Sequence, residues 1–225
     1  ELFTEKVLNK NHIYTTGTHN LNGSHTYHVF GNADVTVYND GIVYAFNQAK
    51  VKTRQKSILI AFDNVEFIAS DESVVYCYDA IDVNGSFYEC SKGLLSNCHG
   101  LIKTYANSKV VASKCTQIEM YDKSTAILKC ESKAKALDKT QVTACNSYVD
   151  AYNCSCITAL DASFIRMFDN SYGYFFGDSY GIAESANEIT AKENSIVEVG
   201  QCVKFTNAYE HSTIKIKEMG TKLRA

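Results

Sequence analysis

Large rings recur along the middle of the chain at a spacing that no helix needs. Tyr105, Tyr121, Tyr152 and Phe168, with Leu137 in the gap, lie 16, 16, 15 and 16 residues apart. Brought into one column, they would offer an aromatic platform for a sugar or another polymer. The competing use of the same rings is self-stacking, at about 0.2–1 kcal/mol per cross-strand pair, and this is the preferred reading. Asp122, Asp138, Asn153 and Asp169 follow those positions one residue later. Stacked carboxylates would hold calcium or serve as the acid and base of glycoside cleavage. Asp and Asn are equally the residues that bond the backbone at corners, and that use is favoured.

Two smaller groups carry potential chemistry. His19, His25 and His28 fall within "HNLNGSHTYH", where His25 and His28 resemble part of a metal site that no neighbouring cysteine or carboxylate completes. Cys154 and Cys156 in "NCSC" would share a face of an extended segment. Tyr148, Tyr172, Tyr174 and Tyr180 add a tyrosine-rich patch. The nucleophile elbow, the P-loop, the dinucleotide glycine fingerprint and the H-E-x-x-H zinc motif are absent from the sequence. The expected site is therefore the aromatic column, with no catalytic residue, metal or cofactor.

What would position such columns is an eight-residue beat. From LIKTYANS (101–108) the chain divides into thirteen consecutive units ending at Val203, and only QVTACNS is a residue short. The second and fourth residues are Ile, Val, Ala or Gly for the most part, so they share one face of a short strand. Asp, Asn, Lys and Ser crowd the sixth and seventh places, and Ser or Thr closes most units, which is corner chemistry. Upstream the pattern continues with looser lengths from TYHVFGNA (26–33).

A strand this short buries nothing alone, so neighbours must stack to complete a core. Because the rings alternate between units, two units should form one coil. Cys98, Ser113, Lys129, Cys145 and Leu160 are expected at the fifth place of the intervening units. The expectation is an all-β chain, a single parallel β-solenoid with about sixteen residues per coil, rather than a three-sided coil of about twenty-four. Residues 1–25 would cap it, 26–211 would form eleven to twelve coils of a rod on the order of 55 Å, and 212–225 would be a charged C-terminal cap or tail. Small inward residues imply a thin core, with Ala126 beside Leu128 and Gly173 beside Phe175 as size compensation.

Composition supports this. The 225 residues include no proline, which would remove ladder donors, no tryptophan, and fifteen tyrosines. Nine cysteines without close CxxC pairing suit free thiols made in a reducing cytoplasm. A formal charge of −3 supplies no general field for nucleic acid, and no apolar run is long enough to span a membrane.

The pattern x-V-x-A-Y-[DN]-x-S, plainest in "YVDAYNCS", "QIEMYDKS", "CITALDAS" and "EITAKENS", resembles octapeptide-repeat β-solenoid proteins of gut bacteria and their phages. The resemblance covers most of the chain but transfers no functional residue. It implies a non-catalytic structural or binding element, virion- or surface-associated, whose partners are further copies of itself, other structural proteins or a glycan. The alternatives are a polysaccharide-degrading solenoid and an ice-binding one built on a hydroxyl array.

Overall fold

The computed structural model describes residues 12–115 and 117–217. Twenty-four strands stack in parallel, each pairing with the strand two before it and the strand two after it along most of the chain. Thus Gly100–Thr104 pairs with Gln117–Met120, and Lys109–Ser113 with Thr125–Lys129, at a displacement of 16 residues. Alternate strands build two opposed faces, and one coil consists of one strand from each. The two-unit coil expected from the alternating rings is the coil observed.

The unit Tyr148–Ser155 shows why the sequence folds this way. Val149, Ala151 and Ser155 point inward and are buried, while Tyr148, Asp150 and Tyr152 face out and Asn153 and Cys154 lie in the exposed corner. The sixth residue must take a positive φ to turn the chain. It is +57° at Asp122, +59° at Asp138, +41° at Asn153 and +57° at Asp169. That conformation costs most L-residues about 1–2 kcal/mol, and Asn and Asp tolerate it best. Corner chemistry, rather than strand propensity, therefore sets the beat.

The terminal serine closes the corner from inside. Ser132, Ser163 and Ser195 each donate their hydroxyl to the carbonyl three residues back, at 2.7, 2.8 and 2.8 Å. Such a bond satisfies a carbonyl that the thin core would otherwise desolvate. Glycine at inward positions makes room for rings. A Cβ on Gly173 would lie 2.5 Å from the Met167 sulfur and 2.7 Å from Phe175, so the expected compensation is real.

The stack is longer than expected, about 13 coils and on the order of 60 Å. Part of the segment assigned to an N-terminal cap already belongs to it, because Ile13–Tyr14 pairs with Thr26–Val29 and Thr18–Asn22 with Asp34–Tyr38. At the other end Thr213–Ile216 pairs with Ile196–Val199. Residues 1–11 of the expected first cap, and Lys222 and Arg224 of the second, lie outside the described residues.

The last coils also depart from the beat. Tyr180–Ala191 and Ile196–Ala208 are continuous strands that pass through a corner position with a bulge between Ala183 and Ser185. The expected units there were cut at residues whose sixth places are Ser185 and Gln201, which lack the readiness of Asp and Asn for positive φ.

Candidate functional site: the aromatic edge

Each coil presents two corners, one on each edge of the flattened rod. Tyr105, Tyr121, Tyr152 and Phe168 all lie on one edge, brought there by the strands Gly100–Thr104, Gln117–Met120, Tyr148–Ala151 and Phe164–Met167. The rings of Tyr105 and Tyr121 are 4.9 Å apart and 8° from parallel, and those of Tyr152 and Phe168 are 4.8 Å apart at 12°. Leu137 separates the two pairs. A fifth ring, Tyr88, stacks on Tyr105 at 4.7 Å and 4°.

Face-to-face stacking changes what the column offers. Rings piled along the rod cover one another's faces and turn only their edges and hydroxyls to water, so the column as a whole is not a flat platform. A ring face is open where the stack begins. Tyr88 stands over Ser70, whose small side chain leaves it 38% exposed. A cleft of about 620 Å³ opens there, lined by Arg54, Ser70, Asp71, Tyr88, Glu89 and Tyr105 among others. Sequence spacing missed Tyr88 because one coil is longer at this point, placing it 17 residues before Tyr105. The signal was present in "SFYECSKG", whose Tyr is followed by an acidic residue as in the later units.

The cleft's polar groups are held by the corner backbone. Asp71 accepts a hydrogen bond from the Gln55 amide at 2.9 Å, and the Asp71 amide donates to Glu89 at 3.2 Å. The Gln55 amide foremost, then the Glu89 side chain, and finally the charge of Arg54, hold the Asp71 carboxyl below its ordinary value against a small desolvation effect. Desolvation raises Tyr105, with Tyr88, Glu119 and Asp122 adding to it. Tyr121 is pushed up to about 12 by desolvation, its 2.9 Å bond to Glu119 and neighbouring charge. Both phenols therefore remain neutral donors at physiological pH.

The carboxylate column forms, but its oxygens serve the same ladder. Asp122 accepts from the Ala106 amide at 3.2 Å, Asp138 from Asp122 at 3.4 Å and Asp169 from Asn153 at 3.5 Å. Asp and Asn thus do two jobs: they tolerate the turn, and an Asp also ties its coil to the one before.

The histidines separate onto different rings. His25 stacks on His12 at 5.0 Å, His19 tilts against Tyr14 at 4.6 Å and His28 stacks on Tyr44 at 5.4 Å. Among the described residues no three His, Cys, Asp or Glu side chains gather as metal ligands. Cys154 occupies a corner with φ +45° while Cys156 begins a strand, so the extended geometry expected of "NCSC" does not occur. All nine cysteines are free thiols.

Cys98 does not take the fifth place expected for it. Ser96 is the register partner of Ser113, and Cys98 turns inward. Hydrogen bonding to Cys115 lowers the Cys98 pKa, but Cys77 and burial outweigh it and leave the thiol at about 12. The Cys115 thiol is raised by Cys98 and by burial.

The described residues contain no helix long and apolar enough to cross a membrane. The sequence matches no protein-family model, no curated protein and no solved structure.

Proposed function

We propose that this chain acts as a rigid, non-catalytic β-solenoid, a structural element within a larger assembly such as a virion or a surface fibre. One observation carries this reading: parallel pairing runs without interruption from Ile13 to Ile216, and the corners between strands stay short throughout. A rod so tied at every rung transmits load and holds spacing. Small-angle scattering should give a rigid cylinder on the order of 60 Å long at 13 coils. A glycan-depolymerising activity that disappears in Asp122→Asn together with Asp138→Asn would overturn the non-catalytic reading.

A second reading, binding of a polysaccharide, is favoured by the open face of Tyr88 beside Arg54 and Asp71. A sugar's C–H face would stack on the ring and its hydroxyls would bond the charged groups. Retention on a neutral glycan array that Tyr88→Ala abolishes would support it, and unchanged retention would refute it. Ice binding finds no such support. The unit-terminal Ser108, Ser124, Thr140 and Ser155 are fully buried and offer water no hydroxyl array.

A further inference from the structure

The charge of −3 conceals a segregation. Residues 92–139 contain nine lysines and four carboxylates, a net of +5, so the rest of the chain carries −8. Among the described residues the ion pairs are Lys50–Glu66, Lys52–Asp34, Arg166–Asp150 and Lys217–Glu198, all outside this band. None of the nine lysines has a carboxylate within 4.0 Å.

The coil geometry then concentrates some of that charge. Lys92 and Lys109 are direct register partners on adjacent rungs. Lys123 and Lys139 occupy the same corner place in successive coils, about 4.8 Å apart along the axis. Lys109, Lys123 and Lys139 share an open groove of about 370 Å³ with Asn107, Thr125 and Gln141. Like charges stacked at one rung spacing repel, and the fold leaves them without a counter-charge.

We propose that this groove binds a linear acidic polysaccharide running along the rod, its carboxylate or sulfate groups paired with Lys109, Lys123 and Lys139. Lysine presents a compact point charge, suited to single anionic groups at intervals along a polymer. Asn107, Thr125 and Gln141 supply the neutral donors and acceptors that sugar hydroxyls need. A nucleic acid fits less well. The groove has no ring on which a base would stack, and the acidic remainder of the chain repels a strand of high charge density. The inference stands on these lysines and does not depend on the Tyr88 cleft.

Its test uses the full chain and oligogalacturonate, with the methyl-esterified oligomer and a single-stranded oligonucleotide as the other probes. Oligogalacturonate should bind, the ester should not, and affinity should fall steeply with salt. Lys123→Gln with Lys139→Gln should weaken binding about tenfold and reduce the log–log salt slope by roughly one per lysine removed. Lys133→Gln with Lys135→Gln, on a strand of the opposite face, should change little. Tyr88→Ala should leave this binding intact, which separates it from the neutral-glycan reading. The proposal fails if the uronate does not bind a variant set that retains native circular dichroism, if the opposite-face pair weakens binding equally, or if the oligonucleotide binds more tightly.

Discussion

Replacing Gly85 with alanine should destabilise the middle of the rod, and the loss should depend on a single ring. Gly85 lies in Val83–Phe87, directly over Phe67 in the neighbouring coil. A Cβ there would sit 2.1, 2.4 and 2.7 Å from three ring carbons of Phe67. Contact between carbons is comfortable at about 3.5–4.0 Å, so the ring would have to retreat by about 1.4 Å. Phe87 blocks that retreat, edge-on at 77° with its centroid 5.3 Å away. Overpacking costs about 1–3 kcal/mol, and a blocked ring puts Gly85→Ala at the upper end. Phe67→Ala alone should cost about 3–5 kcal/mol through the cavity it leaves. In the double variant the new methyl occupies part of that cavity, so the total should stay near that of Phe67→Ala. The implied coupling is about 2–3 kcal/mol, within the range seen for residues in contact. Urea denaturation followed by circular dichroism would measure it for all four proteins. Losses that add to within about 0.5 kcal/mol would refute the claim that glycine is there to admit the ring.

Ser132→Ala should cost about 1–3 kcal/mol, since it removes the bond to the Lys129 carbonyl and the acceptor of the Cys115 amide. Ser155→Ala should be nearly neutral in the same melts, because that buried hydroxyl has no partner among the described residues. Asp71 titrates below its unfolded value, so its contribution is complete above the ordinary carboxylate range and fades as pH falls through its lower folded pKa. Asp71→Asn should therefore flatten the acid limb of a melting-temperature profile, and an unchanged limb would refute the role given to the Gln55 amide. Ser70→Tyr should extend the stack over Tyr88, adding about 0.2–1 kcal/mol while abolishing neutral-glycan retention at the cleft. Retention that survives the substitution would show that the open ring face is not the binding surface.

The octad was legible because its most demanding place, the corner residue at positive φ, is also its most restricted in composition. Asp122, Asp138, Asn153 and Asp169 announce both the turn and the coil, and the ring before each fixes the two-unit register. Where the beat stretches, legibility fell. Val74 pairs with Lys92 at a displacement of 18, and the extra residues near Ala80 and Cys98 move Cys98 from an outer place to the core. The Tyr88 cleft was invisible for a related reason. A missing neighbour leaves no mark in a residue's own octad, and only the register shows that Ser70 is what lies beneath the ring. The lysine groove depends likewise on register, because Lys109 and Lys123 are close only after the corner brings the two faces together.

The cleft follows from how the rod distributes its rings between its edges. In the first coils the rings occupy the edge opposite Tyr105, where Phe30, Phe46 and Phe62 stack at 5.0 Å within 8° of parallel. Tyr78 continues that column in register, and above it come Ser96 and Ser113. On the Tyr105 edge the order is reversed, with Arg54 and Ser70 below and Tyr88, Tyr105 and Tyr121 above. The coil carrying both Tyr78 and Tyr88 is where the column changes sides. A stack within a rod covers both faces of its internal rings, so an open face requires an end, and changing sides creates one in mid-rod rather than at a terminus. The same coil carries the longer displacements, which loosens the corner spacing around Arg54 and Asp71. The irregularity that interrupts the repeat is thus also what exposes Tyr88, and it places the one open aromatic face of this edge's first stack beside a cation and two carboxylates.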